Sequence, residues 1–427
     1  MTLQRLWESA RDSLWFVPSL FVVGSAGFAF AVLAVDRASV GTSAVPLVFG
    51  GGAEGARGVL SSIAASMITV AGVTFSITVV ALQLASSQFS PRVLRTFMRD
   101  RASQLVLGTF IGAFTYSLLV LRAVRGENGD GGSFVPAIGV SVGILYALVA
   151  LGALVYFIHH IATRIQVSTI TATVVAETLD EIRRTWPERV ADAEDVPRVP
   201  DGPAAVVEGR ESGYVQLVDA EGLIRLATER DLVVQLAARP GAWVLERAPI
   251  GSVWPASVMT ADLGDEIAAR LTVGRERTMS QDAPYGIRQL VDIAVKAISP
   301  GINDPTTATD CVHRIGQILV TAAWRQPPQP DAYDGDGRLR LVTPRFSWEE
   351  LVDLAFDELR QYGGSSANIA IALSDTLEEL ARGVPADRRH ALAQKARQAA
   401  AAAAAIPIAE DRRRALAALE RAVAAST

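Results

Sequence analysis

Four long apolar runs crowd the first 165 residues, at about 15–35, 59–86, 104–120 and 134–161. A hydrocarbon core of about 30 Å takes roughly 20 helical residues to cross, and these runs are of that order. No comparable run follows. The pattern predicts an α-helical integral membrane protein: a four-helix transmembrane domain (residues 1–165), a connecting helix and linker (166–212), a small α/β subdomain (213–256) and a mainly helical cytoplasmic domain (257–427). The first run exceeds the roughly 7–15 residues of a signal-peptide core, so it reads as an uncleaved anchor.

Orientation follows from Arg placement in the short connections. Arg5 and Arg11 precede the first span, Arg92, Arg95, Arg99 and Arg101 follow the second, and Arg164 follows the fourth. The other two connections hold Arg37 with Arg57, and Arg122 with Arg125, beside glycine pairs suited to exposed turns. This predicts a multi-pass protein of a bacterial inner membrane with both termini cytoplasmic.

The second run, VLSSIAASMITVAGVTFSITVVALQLASSQ, carries polar groups in helical register. At about 100° per residue, Ser62, Ser66, Thr69, Val73, Ser76, Val80, Gln83 and Ser87 fall within roughly 60° of one line. An unpaired hydroxyl or amide in hydrocarbon costs several kcal/mol, so this stripe must meet another helix or water. Facing water it lines a pore; facing a helix it is packing glue. No Asp, Glu, Lys or Arg interrupts it, so it is neither a proton relay nor a charged filter. Beyond Ser90-Pro91, Arg92, Arg95 and Arg99 share one helical face. They ring the cytoplasmic mouth of an oligomer or anchor the chain to lipid phosphates. Gly108-x-x-x-Gly112 and Gly139-x-x-x-Gly143 mark close helix crossings, within the chain or between copies.

The fourth run continues through His159, His160 and Arg164 as one helical stretch to about Arg184, and a Pro- and acid-rich linker closes it. Extended runs follow around 214–218, 232–237 and 243–247, the last two joined by the turn Arg239-Pro240-Gly241-Ala242. Residues 326–344, rich in Pro, Gly and Asp, read as a loop. Between them lies SPGINDPTTA (299–308), where Asp304 and Pro305 form a helix start. Capping does not account for Asn303, Thr306 and Thr307 beside it, nor for Arg275, Arg277, Gln281 and Asp282 nearby in sequence. Together they make a candidate anion site or interface.

Net charge is -5, which argues against a nucleic-acid surface. One cysteine, Cys311, excludes an intrachain disulfide, and the four histidines form no metal pattern. No Walker loop, dinucleotide fingerprint or Ser/His/Asp set is present, so no catalytic residue, metal or cofactor is expected and an enzyme is the least supported reading.

TVVALQLASSQFSPR (78–92), YGIRQLVDIA (285–294) and SPGINDPTTA (299–308) resemble a family of bacterial predicted membrane proteins catalogued as a domain of unknown function, DUF2254. The resemblance covers nearly the whole chain and implies no activity. Two readings follow from the residues. One is a homo-oligomeric channel lined by the second span and regulated by the cytoplasmic domain. The other is a membrane-tethered sensor or scaffold that binds a small anionic ligand or a protein partner. The expected partners are the lipid bilayer, further copies of the chain, and ions or a small anion.

Overall fold

A computed structural model describes residues 15–38, 49–88, 100–126, 134–164, 166–188, 199–327 and 331–426. Contacts divide the chain into two compact units, Met1–Thr169 and Ile170–Thr427.

The first unit contains four helices long and apolar enough to cross a membrane: α1 (Phe16–Ala38), α2 (Ala53–Gln88), α3 (Arg101–Ala123) and α4 (Ala137–Arg164). α3 is the central helix and packs against the other three. Half of its apolar window is buried within the chain, against 17% for α2, so α2 keeps the most free surface.

Small residues allow the close crossings. A Cβ on Gly108 would lie 2.7 Å from the Phe21 ring, and one on Gly112 would lie 2.3 Å from the Tyr146 hydroxyl. Gly139 sits against Val120 and Asp36, and Gly143 against Leu60. Both small-xxx-small pairs therefore serve contacts inside the chain. Asp36, buried at the end of α1, caps α4 by accepting from the Ile138 and Gly139 amides at 2.9 and 2.8 Å. Tyr116 donates to the Gly139 carbonyl from α3, and Ser25 pairs with Tyr146 at 3.0 Å. These bonds satisfy polar groups that hydrocarbon would leave unmet.

Instead of the continuous stretch expected from sequence, α4 stops at Arg164 and a separate helix, α5 (Val167–Thr185), begins beyond Gln166.

The second unit continues from α5 with β1 (Ala205–Glu208), β2 (Gly213–Val218), α6 (Ala220–Glu229), β3 (Val233–Leu236), β4 (Trp243–Val244), β5 (Pro249–Trp254), α7 (Ala261–Ala268) and β6 (Leu271–Gly274). Then follow α8 (Pro284–Ala297), α9 (Pro305–Ala323), β7 (Asp331–Tyr333), β8 (Leu339–Val342), α10 (Trp348–Gly363), α11 (Ala367–Gly383), α12 (Arg389–Ala403) and α13 (Ala409–Ser426). Five strands form one sheet in the order β1-β5-β3-β8-β7, and three form another, β4-β2-β6. β3 and β8 run parallel, with Val234 opposite Leu341; the other pairs are antiparallel.

One core joins both sheets to α6 and α7 through Val215, Leu223, Val234, Ile250, Val253, Ile267 and Leu341. The β region thus draws on residues 205–208, 271–274 and 331–342, outside the 213–256 expected from sequence. Strands of three or four residues are too short to display an alternating pattern, and β7 and β8 lie in a stretch whose Pro, Gly and Asp content reads as loop. Among the described residues β7 pairs only with β8, and the partner that ties β8 into the sheet, β3, lies some hundred residues upstream.

The helices after β6 are set by local signals. Asp304 caps α9, and Ser347 with Glu350 forms a reciprocal capping box on α10. Buried Leu290, Ile315, Val352, Phe356 and Leu377 supply apolar faces at helical spacing. In the Ala-rich end, Ala370, Ala399, Ala403, Ala415 and Leu419 let helices pack closely.

Candidate functional site

α2 has three faces. Ala56, Leu60, Ala64, Ala71, Thr74 and Ala81 are buried toward the other helices. Ile68, Phe75 and Val79 form an exposed apolar strip. On the side roughly 150° from the buried face, at about 100° per residue, lie Ser62, Ser66, Thr69, Val73, Ser76, Val80 and Gln83, all exposed.

Two hydroxyls off this stripe are occupied: Ser61 donates to the Gly58 carbonyl and Thr78 to the Thr74 carbonyl. On the stripe, Thr69 bonds to the Ala65 carbonyl at 2.8 Å. Among the described residues, the Ser62, Ser66, Ser76 and Gln83 side chains have no hydrogen-bond partner within the chain. At one end of the stripe Ser62 lines a groove against Ile144, Ala147 and Leu148 of α4. The Ser87 side chain and Arg92, Arg95 and Arg99 lie outside the described residues.

At the end of α3, the buried Asp100 carboxylate accepts from Ser103 and lies 2.8 Å from His160 Nε2 and 3.6 Å from Arg164. His160 stacks on Tyr156. His159 is exposed.

In the second unit, the residues grouped by sequence fall into two places. Arg275, Arg277, Gln281 and Asp282 precede α8, whereas Asn303, Asp304, Thr306 and Thr307 follow it. Fourteen helical residues separate them, roughly 21 Å at 1.5 Å per residue. The Asp304 carboxylate accepts from the Thr307 amide at 3.1 Å and the Thr307 hydroxyl at 2.6 Å. These bonds hold its carboxyl below the usual range. Asn303 has left-handed backbone (φ 51°), and its amide donates to the Ser299 carbonyl. The turn therefore uses Asn303, Asp304 and Thr307 structurally, while the Asn303 and Thr306 side chains stay exposed. Arg275 is exposed as well.

The segment before α8 is more constrained. Gln281, also left-handed (φ 58°), accepts from the Val218 amide at 2.9 Å and donates to its carbonyl at 3.2 Å. Its own amide donates to Glu181. Arg277 Nε and Nη2 each donate to the Asp282 carboxylate at 2.9 Å. Asp282 is 2% exposed, and burial outweighs the nearby guanidinium to push its carboxyl up to about 7. Gly241 (φ 85°) in the Arg-Pro-Gly turn presses on this pair: a Cβ there would lie 2.2 Å from Asp282 Oδ2.

Beside the pair is a cavity of about 380 Å³, reached by Trp186, Ala220, Arg239, Pro240, Leu341 and Phe346. The Arg239 guanidinium carbon stands 3.4 Å from the centre of the Phe346 ring, and Glu350 accepts from Arg239 at 3.2 Å. Sequence reasoning singled out Gln281 and Asp282 but missed Arg239, Arg345 and Phe346. Arg239 was visible only as part of a turn, and nothing local ties 345–346 to it.

The family described as Predicted membrane protein (DUF2254) matches residues 11–379. Uncharacterized proteins of Mycobacterium bovis and of two strains of Mycobacterium tuberculosis are 35% identical over 378 residues, covering 87% of this chain and 72% of theirs. No solved structure matches the chain.

Proposed function

The chain belongs to the DUF2254 family of predicted membrane proteins, and from that premise we propose that it forms a homo-oligomeric channel lined by α2 and regulated by its second unit. The observation that carries the reading is the exposed stripe on α2, on which, among the described residues, Ser62, Ser66, Ser76 and Gln83 have no side-chain hydrogen bond within the chain. Ser62 to Gln83 spans about 31 Å at 1.5 Å per residue, close to a full hydrocarbon core. Helix glue needs only a patch; a water path needs the whole thickness. A ring of α2 helices from several copies hydrates these groups and removes the cost of leaving them unmet. Val73 and Val80, both about half exposed, stand on the same line as rings that close by dewetting.

The test is single cysteines at Thr69, Ser76 and Gln83 in a Cys311→Ser background. They react with water-soluble thiol reagents and alter conductance in planar bilayers, while cysteines at buried Ala71 and lipid-facing Phe75 stay inert. Cys311 itself is buried and its thiol is pushed up to about 12, so it contributes little background. Equal protection on all faces, with no current from purified protein, overturns the proposal.

A second reading, a membrane-tethered sensor that binds a small anion through the second unit, is favoured by the cavity beside Arg239 and Asp282. Both readings take the chain as an inner-membrane protein with the second unit in the cytoplasm.

A further inference from the structure

We infer that the cavity between the Arg239–Ala242 turn and the strand β8 exit binds a compact, mostly apolar organic monoanion, such as an aromatic carboxylate. The inference rests on the sensor reading and supplies its place and ligand class; the pore reading stands apart from it.

The cavity's chemistry selects the ligand. Its volume, about 380 Å³, lies in the small-molecule range of roughly 300–1,000 Å³. Pro240, Pro284, Pro327 and Pro344 contribute to its walls. Proline offers no N–H and holds its φ, so these walls are rigid and poor in donors. Water against them makes few hydrogen bonds, and an apolar group displaces it favourably. Trp186 and Phe346 add aromatic surface.

Three arginines bear on the site. Arg277 is neutralised by Asp282 and Arg239 by Glu350. Arg345 is exposed and, among the described residues, forms no ion pair. Among the described residues, Arg345 is thus the lining arginine without a carboxylate partner, and one guanidinium at the rim matches one carboxylate. A polyphosphate would demand more cations than the site has free.

The test uses full-length protein in nanodiscs and 6-fluoro-2-naphthoate followed by fluorine NMR. The neutral 6-fluoro-2-naphthamide and inorganic phosphate serve as comparators. Naphthoate is expected to bind the wild type. Arg345→Glu should weaken it at least ten-fold while leaving the amide unchanged. Ala220→Phe, at an exposed lining position, should weaken both by filling the cavity. Naphthoate binding that ignores both substitutions overturns the inference. Phosphate binding that is lost in Arg275→Ala, with naphthoate inert, overturns it but leaves the sensor reading standing. Silence from every ligand counts against both.

Discussion

Gly241→Ala tests whether the Arg-Pro-Gly turn is locked by the buried ion pair beneath it. Two costs apply. At φ 85° a Cβ meets the backbone, about 1–2 kcal/mol for an L-residue in the left-handed region. The same Cβ would stand 2.2 Å from Asp282 Oδ2 and 2.8 Å from Arg277 Nη2, so the pair must shift. Overpacking costs about 1–3 kcal/mol, and more if the ion pair opens. The expected loss is about 3–4 kcal/mol. Gly337→Ala is the control: its φ is 74°, and a Cβ there meets nothing within 4 Å, so only the same backbone term, about 1–2 kcal/mol, applies. Denaturant unfolding of the purified protein, followed by tryptophan fluorescence, measures both. Equal losses for the two variants would refute the packing argument and leave only glycine's conformational role.

Other outcomes follow from the same geometry. Raised by burial to about 7, Asp282 holds its proton more tightly folded than unfolded. Its contribution to stability is therefore full below about pH 4 and lost as pH rises toward 7. Denaturation midpoints should fall across that window in wild type and flatten in Asp282→Asn; a wild-type rise attributable to Asp282 would contradict the sign. Thr307→Val removes the 2.6 Å bond to Asp304 and should cost about 1 kcal/mol of stability, whereas Asn303→Gly, already at φ 51°, should cost almost none. If Asn303→Gly abolishes an activity or a ligand effect at unchanged stability, the turn is more than structural. For topology, reporter fusions after Arg37, Arg99, Arg125 and Thr427 should read outside, inside, outside and inside; periplasmic activity at Thr427 would overturn the orientation.

What a stretch of chain must do alone was legible in order. Four helices long enough to span are a property of local length and apolarity, as is the register of Ser62 through Gln83 on one side of α2. The Asp304 cap and the apolar spacing of Leu290 and Val291 on α8 are equally local, because a helix repeats every 3.6 residues wherever it sits. The tertiary structure alone decided which way those faces turn. It buried Ala64 and Ala71, left the polar stripe open, and spent both glycine pairs on contacts inside the chain. It also separated Arg277 and Asp282 from Thr307 by the length of α8, paired β8 with β3 across a hundred residues, and brought Phe346 onto Arg239. Strand pairing, burial and cavity walls are set by partners distant in sequence, and no local period records who those partners are.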